Sequence, residues 1–119
     1  MFKLQDDTEL LIKNWPVVIG VPQDEGRIAK HEIRADFHVL PQAEIEELME
    51  ASREGGGSVD ADTLRRVVRR VHDVADAEGK PMDYTPELLE RMIQIPYVRI
   101  ALITAYFEAA AGKKAKRKN

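Results

Sequence analysis

Apolar and polar residues alternate along residues 30–40, which predicts a β-strand with one face towards the core and one face towards solvent. A β-branched and aromatic stretch precedes it over residues 15–21 and contains Pro16, whose missing N–H favours an edge strand. The segments are joined by a polar turn and together predict an N-terminal β-hairpin over residues 15–40. Its core face is expected to hold Ile33, Ala35, Phe37 and Val39.

After Pro41 the apolar residues recur at helical spacing. Thr85 followed by Pro86 is typical of a capped helix start, and Asp60 or Asp62 is placed to cap an earlier helix. The pattern predicts about four helices, over residues 42–54, 61–77, 86–95 and 97–111.

The predicted fold class is therefore α+β, mostly α, with an N-terminal β-hairpin followed by about four helices. We expect a single domain over residues 1–112 and a basic, flexible tail over residues 113–119. The last helix is apolar on nearly all sides, which indicates burial either in its own fold or against another subunit. Self-association as a homo-oligomer is the hypothesis that follows.

The composition fits one soluble domain, because 44% of the 119 residues are hydrophobic and 33% are charged. The absence of cysteine excludes disulfides, thiolate metal sites and cysteine nucleophiles. No apolar run approaches the roughly 20 residues that a bilayer crossing needs, and the N-terminus is unlike a signal peptide. We therefore expect a cytoplasmic protein without a membrane partner.

Charge is distributed unevenly along the chain. The tail carries five of the 18 Lys and Arg, which leaves 13 against 21 Asp and Glu, or a net charge of −8, on the rest. A basic tail can bind nucleic acid or can be a solvated terminus, and both interpretations stay open. The arginines at 65, 66, 69 and 70 would share one face of a helix, where they either contact a phosphate backbone or pair with the acidic body.

Candidate chemistry is sparse. His31, His38 and His72 lack the spacing of a metal site, and the glutamates near residue 46 are expected on a solvated helix face. The glycines at 55–57 lack the residues of a phosphate-binding loop, and neither serine has the setting of a nucleophile. The sequence therefore predicts no catalytic residues, no metal and no cofactor, and the protein is not expected to be an enzyme.

The order of several short segments resembles a known family. They are Phe37–Leu40, Gln42–Leu48, Asp76–Pro81, Tyr84–Leu89, Ile95–Arg99 and Ala105–Ala109, followed by the lysine-rich tail. Together they resemble the tail assembly chaperones of long-tailed bacteriophages and prophages, which are encoded between the tail tube and tape measure genes. The resemblance covers residues 30–119. One difference is that many members have a tryptophan near Val71 or His72.

The resemblance implies a protein that binds the tape measure protein and keeps it soluble while tail tube subunits polymerise around it. It also implies activity in the bacterial host cytoplasm, absence from the mature virion, and in many members a longer form made by translational frameshift. The tail tube protein is a further candidate partner. The residues expected to bind a partner are Leu88, Met92, Ile95, Ile103 and Phe107, unless they pack in the core.

Two other functions stay open. One is a small nucleic-acid-binding regulator that uses the basic tail, although the acidic body would repel phosphates. The other is a minor structural protein that remains in the finished tail.

Overall fold

Strands and helices are interleaved in the computed structural model, which describes residues 1–4 and 10–118. The elements, in chain order, are β1 (Leu10–Pro22), β2 (Ile28–Val39), α1 (Gln42–Glu54), α2 (Val59–Val67), β3 (Val68–His72), α3 (Pro86–Ile93) and α4 (Pro96–Ala110). A short 3₁₀ turn, Asp24–Gly26, joins β1 to β2. The described part of the chain is 42% helical and 28% strand, so the predicted α+β class is confirmed, whereas the fold is mixed and not clearly mostly α.

The predicted hairpin is present and is longer than expected at its N-terminal end. β1 and β2 pair antiparallel, with Val17 opposite Ile33, and the register shifts once between Ile12 and Trp15. Ile33, Ala35 and Phe37 are buried as the alternation predicts, because they share the face that packs on the helices. His38 departs from the pattern: it is buried, and its Nδ1 lies 2.9 Å from Nη2 of Arg69.

The predicted helix over residues 61–77 is wrong, because the chain leaves α2 at Val67 and continues directly as β3. This strand pairs with β2 and completes a three-stranded antiparallel sheet of order β1-β2-β3 among the described residues. The register shifts between Asp36 and Phe37, so Val68 and Val71 both face the core while two arginines between them face out. A bulged strand thereby produces the spacing of three that is typical of a helix.

The remaining helix boundaries agree with the sequence prediction to within a few residues. Thr85 begins α3 as expected, because its Oγ1 accepts a hydrogen bond from the Leu88 N–H at 3.1 Å. The cap of α2 is Ser58, whose Oγ accepts from the Ala61 N–H at 3.3 Å. The expected caps, Asp60 and Asp62, lie instead inside the first turn of that helix.

The core lies between one face of the sheet and the helices. Its most completely buried large side chains include Phe37, Leu64, Leu102 and Tyr106, which come from β2, α2 and α4. α4 packs against β1, α2 and α3. This central position explains the strongly apolar composition of α4 and determines which of its residues remain exposed.

Candidate partner-binding site

The structure separates the five predicted partner-binding residues into two groups. Leu88, Met92 and Ile103 are buried in the core, so they stabilise the fold and are not available to a partner in this conformation. Ile95 and Phe107 are exposed. Only these two are placed where another chain can reach them.

Four exposed side chains, three of them large and apolar and one a threonine, extend this surface along α4. Tyr97, Ile100, Thr104 and Phe107 are all exposed and follow one another at spacings of three, four and three residues. We call these four residues the α4 seam. Spacings of three and four place side chains on one narrow stripe of a helix, which is the arrangement that pairs one helix with another.

The seam lies opposite the buried side of the same helix. Ile100 is 55% exposed and Phe107 is 47% exposed, whereas Leu102 and Tyr106 are almost fully buried. Neither Tyr97 nor Ile100 is among the partner-binding residues predicted from the sequence, although both are exposed. The seam's spacing of three and four is visible in the sequence. Because α4 is apolar on all sides, however, the sequence does not show which stripe of the helix the rest of the fold leaves exposed.

Contacts at the end of the hairpin hold α4 in place. The hydroxyl of Tyr106 accepts a hydrogen bond from the Leu40 N–H at 3.2 Å, and the Tyr106 ring meets Phe37 edge-to-face at 5.6 Å. Burial raises the pKa of the Tyr106 phenol, which keeps it neutral at physiological pH. At the other end, Nη1 of Arg99 donates to the carbonyl oxygen of Ile93 at 3.3 Å. The seam is therefore displayed on an anchored helix.

A groove runs between the hairpin and the seam. Its volume is about 390 Å³, and its apolar lining includes Trp15 and Val18 from β1 and Ile100 and Ala101 from α4. Lys116 of the tail stands at its margin. Because Ile100 belongs both to the groove and to the seam, a helix seated on the seam would also contact the groove.

The arginines at 65–70 act mainly within the fold. Arg65 makes two bonds to the Glu90 carboxylate, at 2.7 and 3.0 Å, and a third to Asp62 at 2.8 Å. These bonds raise the pKa of Arg65, with the hydrogen bond to Glu90 as the largest cause, and lower the pKa of Glu90. Arg66 lies 3.6 Å from Glu44. Pairing with acidic residues of the body is confirmed for these two arginines.

The other two arginines of that group lie on β3, so the four do not form one helical face as predicted. The outer face of the sheet holds its own polar network. Arg34 binds both oxygens of Asp73, at 2.7 and 3.0 Å, and His72 Nε2 lies 3.0 Å from Asp36 Oδ1. The Arg34 hydrogen bonds are the main reason that the pKa of Asp73 is lowered. The Arg34–Asp73 pair thus brings two opposite charges together on this face.

Other kinds of site were considered over residues 1–4 and 10–118. Within these ranges, no three or more histidine, aspartate or glutamate side chains are grouped so that they could hold a metal ion. None of the helices described has both the length and the apolar character that a bilayer crossing requires. The exposed seam and its groove are the candidate site for a partner.

Comparison with known proteins returned no relative. No protein-family model matches the chain, and neither a characterised protein nor a solved structure matches it.

Proposed function

We propose that this protein is a phage tail assembly chaperone, which binds the tape measure protein and keeps it soluble while tail tube subunits polymerise around it. The identity of the family and of the client rests on the resemblance over residues 30–119. The observation that supports binding of a helical partner is the α4 seam, an exposed, mostly apolar stripe on an anchored helix beside an apolar groove. The activity is binding, without catalysis. It takes place in the host cytoplasm and ends before the particle matures.

The seam suits a helical client. An amphipathic helix presents apolar residues at spacings of three and four, and it is recognised by a surface with the same spacing or by an apolar groove. Tyr97 and Phe107 are ten residues apart, which is about 15 Å along the helix axis. That length accommodates roughly three turns of a client helix and leaves the rest of a long client to other copies of the chaperone.

A chaperone also has to keep its complex with the client soluble, and the negative charge of the chain outside the tail supports this. Outside the tail the chain has a net charge of −8. Copies bound along a client would repel one another and other complexes, which opposes aggregation of the assembly. Association of copies through the same seam in the absence of client fits the expected homo-oligomer, because it would cover the apolar stripe until a client competes for it.

The nucleic-acid alternative receives less support from the charges of the chain. Lys116 and Arg117 pair with Glu108 and Glu32 at 3.1 and 3.2 Å. These exposed pairs are a weak obstacle, and the stronger one is the net charge of −8 on the rest of the chain, which repels phosphates. Binding to duplex DNA that falls steeply with salt would favour that alternative. Detection of the protein in purified particles would favour a structural tail protein.

Co-expression with the tape measure protein from the adjacent gene tests the proposal. We expect the tape measure protein to become soluble and to co-purify with the wild-type chain. Ile100→Asp should abolish this effect, because a charge on the seam would have to be desolvated against an apolar helix. Met49→Asp is the matched control, since Met49 is an exposed apolar residue on α1.

The two variants also define how the proposal would fail. If the Ile100→Asp variant solubilises the tape measure protein as well as the wild type does, the α4 seam is not the binding site. A tape measure protein that stays insoluble beside a folded wild-type chain would argue against the chaperone function. Circular dichroism of each variant checks that the fold is intact.

A further inference from the structure

The basic tail turns back after α4 and contacts two elements of the fold. Lys116 Nζ lies 3.1 Å from Glu108 on α4. Arg117 Nη2 lies 3.2 Å from an oxygen of Glu32 on β2, and the backbone N–H of Lys118 donates to the other oxygen at 2.9 Å. A short segment thus connects the helix to the hairpin by charge-assisted bonds on both sides.

These contacts place the tail at the margin of the hairpin–α4 groove. Lys116 and Glu108 are both among the residues that line the groove. Glu32 pairs in register with Val18, which is another lining residue. The tail therefore passes from the α4 side of the groove to its hairpin side.

The two glutamates are better shielded than their partners. The side chains of Glu32 and Glu108 are 24% and 16% exposed, whereas those of Lys116 and Arg117 are mostly exposed. We call these two carboxylates the receptor, and the basic residues contact them from the solvent side. Exposed ion pairs are individually weak and are screened by salt, so such a segment can be released without unfolding the domain.

We infer that residues 113–118 are a strap, an intramolecular ligand that lies along the hairpin–α4 groove and has to leave before another chain can fill it. The strap is held by Glu32 and Glu108. Ile100 is exposed even with the strap in place, whereas opening of the strap gives fuller access to the half-buried Trp15. In this way the chain limits access to its own apolar surface.

The single tryptophan of the chain provides a direct readout. Trp15 is half-buried and lines the groove, so collisional quenching of its fluorescence by acrylamide measures access to the groove. Acrylamide is uncharged, so changes in the charge of the protein do not alter its local concentration. The measurement requires neither a client nor a known ligand.

Two double variants with equal changes in charge test the strap. Lys116→Ala with Arg117→Ala removes two side chains that bind the glutamates, and Lys113→Ala with Lys114→Ala removes two positive charges at the start of the tail. We expect the first variant to raise the quenching constant of Trp15 about twofold, as for a strap closed about half of the time. The second variant should stay near the wild-type value.

High salt and the substitution Glu32→Gln provide two further, independent tests of the strap. In 1 M NaCl, where the Debye length is about 3 Å, the quenching constant of the wild-type chain should rise to that of the Lys116→Ala, Arg117→Ala variant. That variant itself should not respond to salt. Glu32→Gln should raise the constant by removing the receptor charge while the tail stays complete. Equal quenching in both double variants, or a wild-type value unaffected by salt and by Glu32→Gln, would overturn the inference.

The role of the strap in client binding rests on the proposed function, but its existence does not. If the chain is a chaperone, the Lys116→Ala, Arg117→Ala variant should solubilise more tape measure protein than the wild type at equal expression. If neither solubilises it while the quenching results hold, the proposed function fails and the strap stands. If both solubilise it and quenching is unchanged, the strap fails and the proposed function stands.

Discussion

Replacing Tyr106 by phenylalanine removes one oxygen atom from the contact that joins α4 to the end of the hairpin. Tyr106 is almost fully buried, and its hydroxyl accepts the hydrogen bond of the Leu40 N–H at 3.2 Å. The phenylalanine ring can keep the edge-to-face contact with Phe37, which is 5.6 Å away. The substitution therefore isolates the hydrogen bond from the packing.

The expected loss of stability follows from the Leu40 N–H, which the substitution leaves without its hydrogen-bond acceptor. The Leu40 N–H is buried and would lose its Tyr106 acceptor, and a buried unpaired donor costs about 1–3 kcal/mol. For a domain of this size, 1 kcal/mol lowers Tm by roughly 3–6 °C. We thus expect Tyr106→Phe to lower Tm by roughly 3 °C or more, with the cost visible as a reduced urea midpoint at an unchanged slope.

Tyr97→Phe is the matched control, because it removes the same atom from an exposed tyrosine of the same helix. Its free energy of unfolding should stay within about 0.5 kcal/mol of the wild type. A Tyr106→Phe protein as stable as the wild type would refute the reasoning. Equal losses in the two variants would refute it as well, since burial would then have no role.

The difference in stability between the wild type and Tyr106→Phe should also depend on pH. Burial raises the pKa of Tyr106 above its ordinary value of 10.0, so at alkaline pH the folded state binds more protons than the unfolded state. The stabilisation is complete below the unfolded pKa and is lost as the pH rises through the folded one. Wild-type stability should consequently fall faster than that of Tyr106→Phe above about pH 10, and the gap between them should narrow. A stability difference between the two proteins that grows with pH would contradict a raised pKa for Tyr106.

Two smaller predictions concern the ion pairs. Arg65→Ala should lower the free energy of unfolding by about 0.5–1 kcal/mol at low salt and by less in 1 M NaCl, as urea titrations would show. Because Arg65 lowers the pKa of Glu90, this stabilisation should also be lost as pH falls through the folded pKa of Glu90, and a gap that persists in acid would contradict it. Asp73 has φ +70°, so Asp73→Ala should be less stable than Asp73→Gly by about 1 kcal/mol in thermal melts, although both lose the Arg34 pair. Equal stability of the two would contradict strain at this position.

Much of the fold follows from local sequence signals. The near-alternation over residues 30–40 is produced by a strand with one largely buried face, and Thr85 before Pro86 forms the predicted cap. β3 could not be recognised from spacing, because its register shift leaves Arg69 and Arg70 together on the outside. The sequence of a bulged strand then has the same period as a helix, and only pairing with β2 distinguishes them.

The site was predictable only in part, for a different physical reason. The spacing of apolar residues identifies helix faces that are suited to burial, but tertiary packing determines which face of α4 is buried. Leu88 and Met92 lie on the only apolar face of α3 and are used by the core. α4 has apolar residues on both sides, so Ile103 is buried while Ile100 and Phe107 are left outside.

Site-specific photo-crosslinking tests the central claim most directly. A photoreactive amino acid at position 100 lies on the seam, and one at position 49 lies on α1, and both replace exposed apolar residues. On irradiation of cells that also express the tape measure protein, we expect a crosslink to that protein from position 100 and none from position 49. Crosslinks from position 49 alone, or from neither position, would contradict the claim that the α4 seam binds the client.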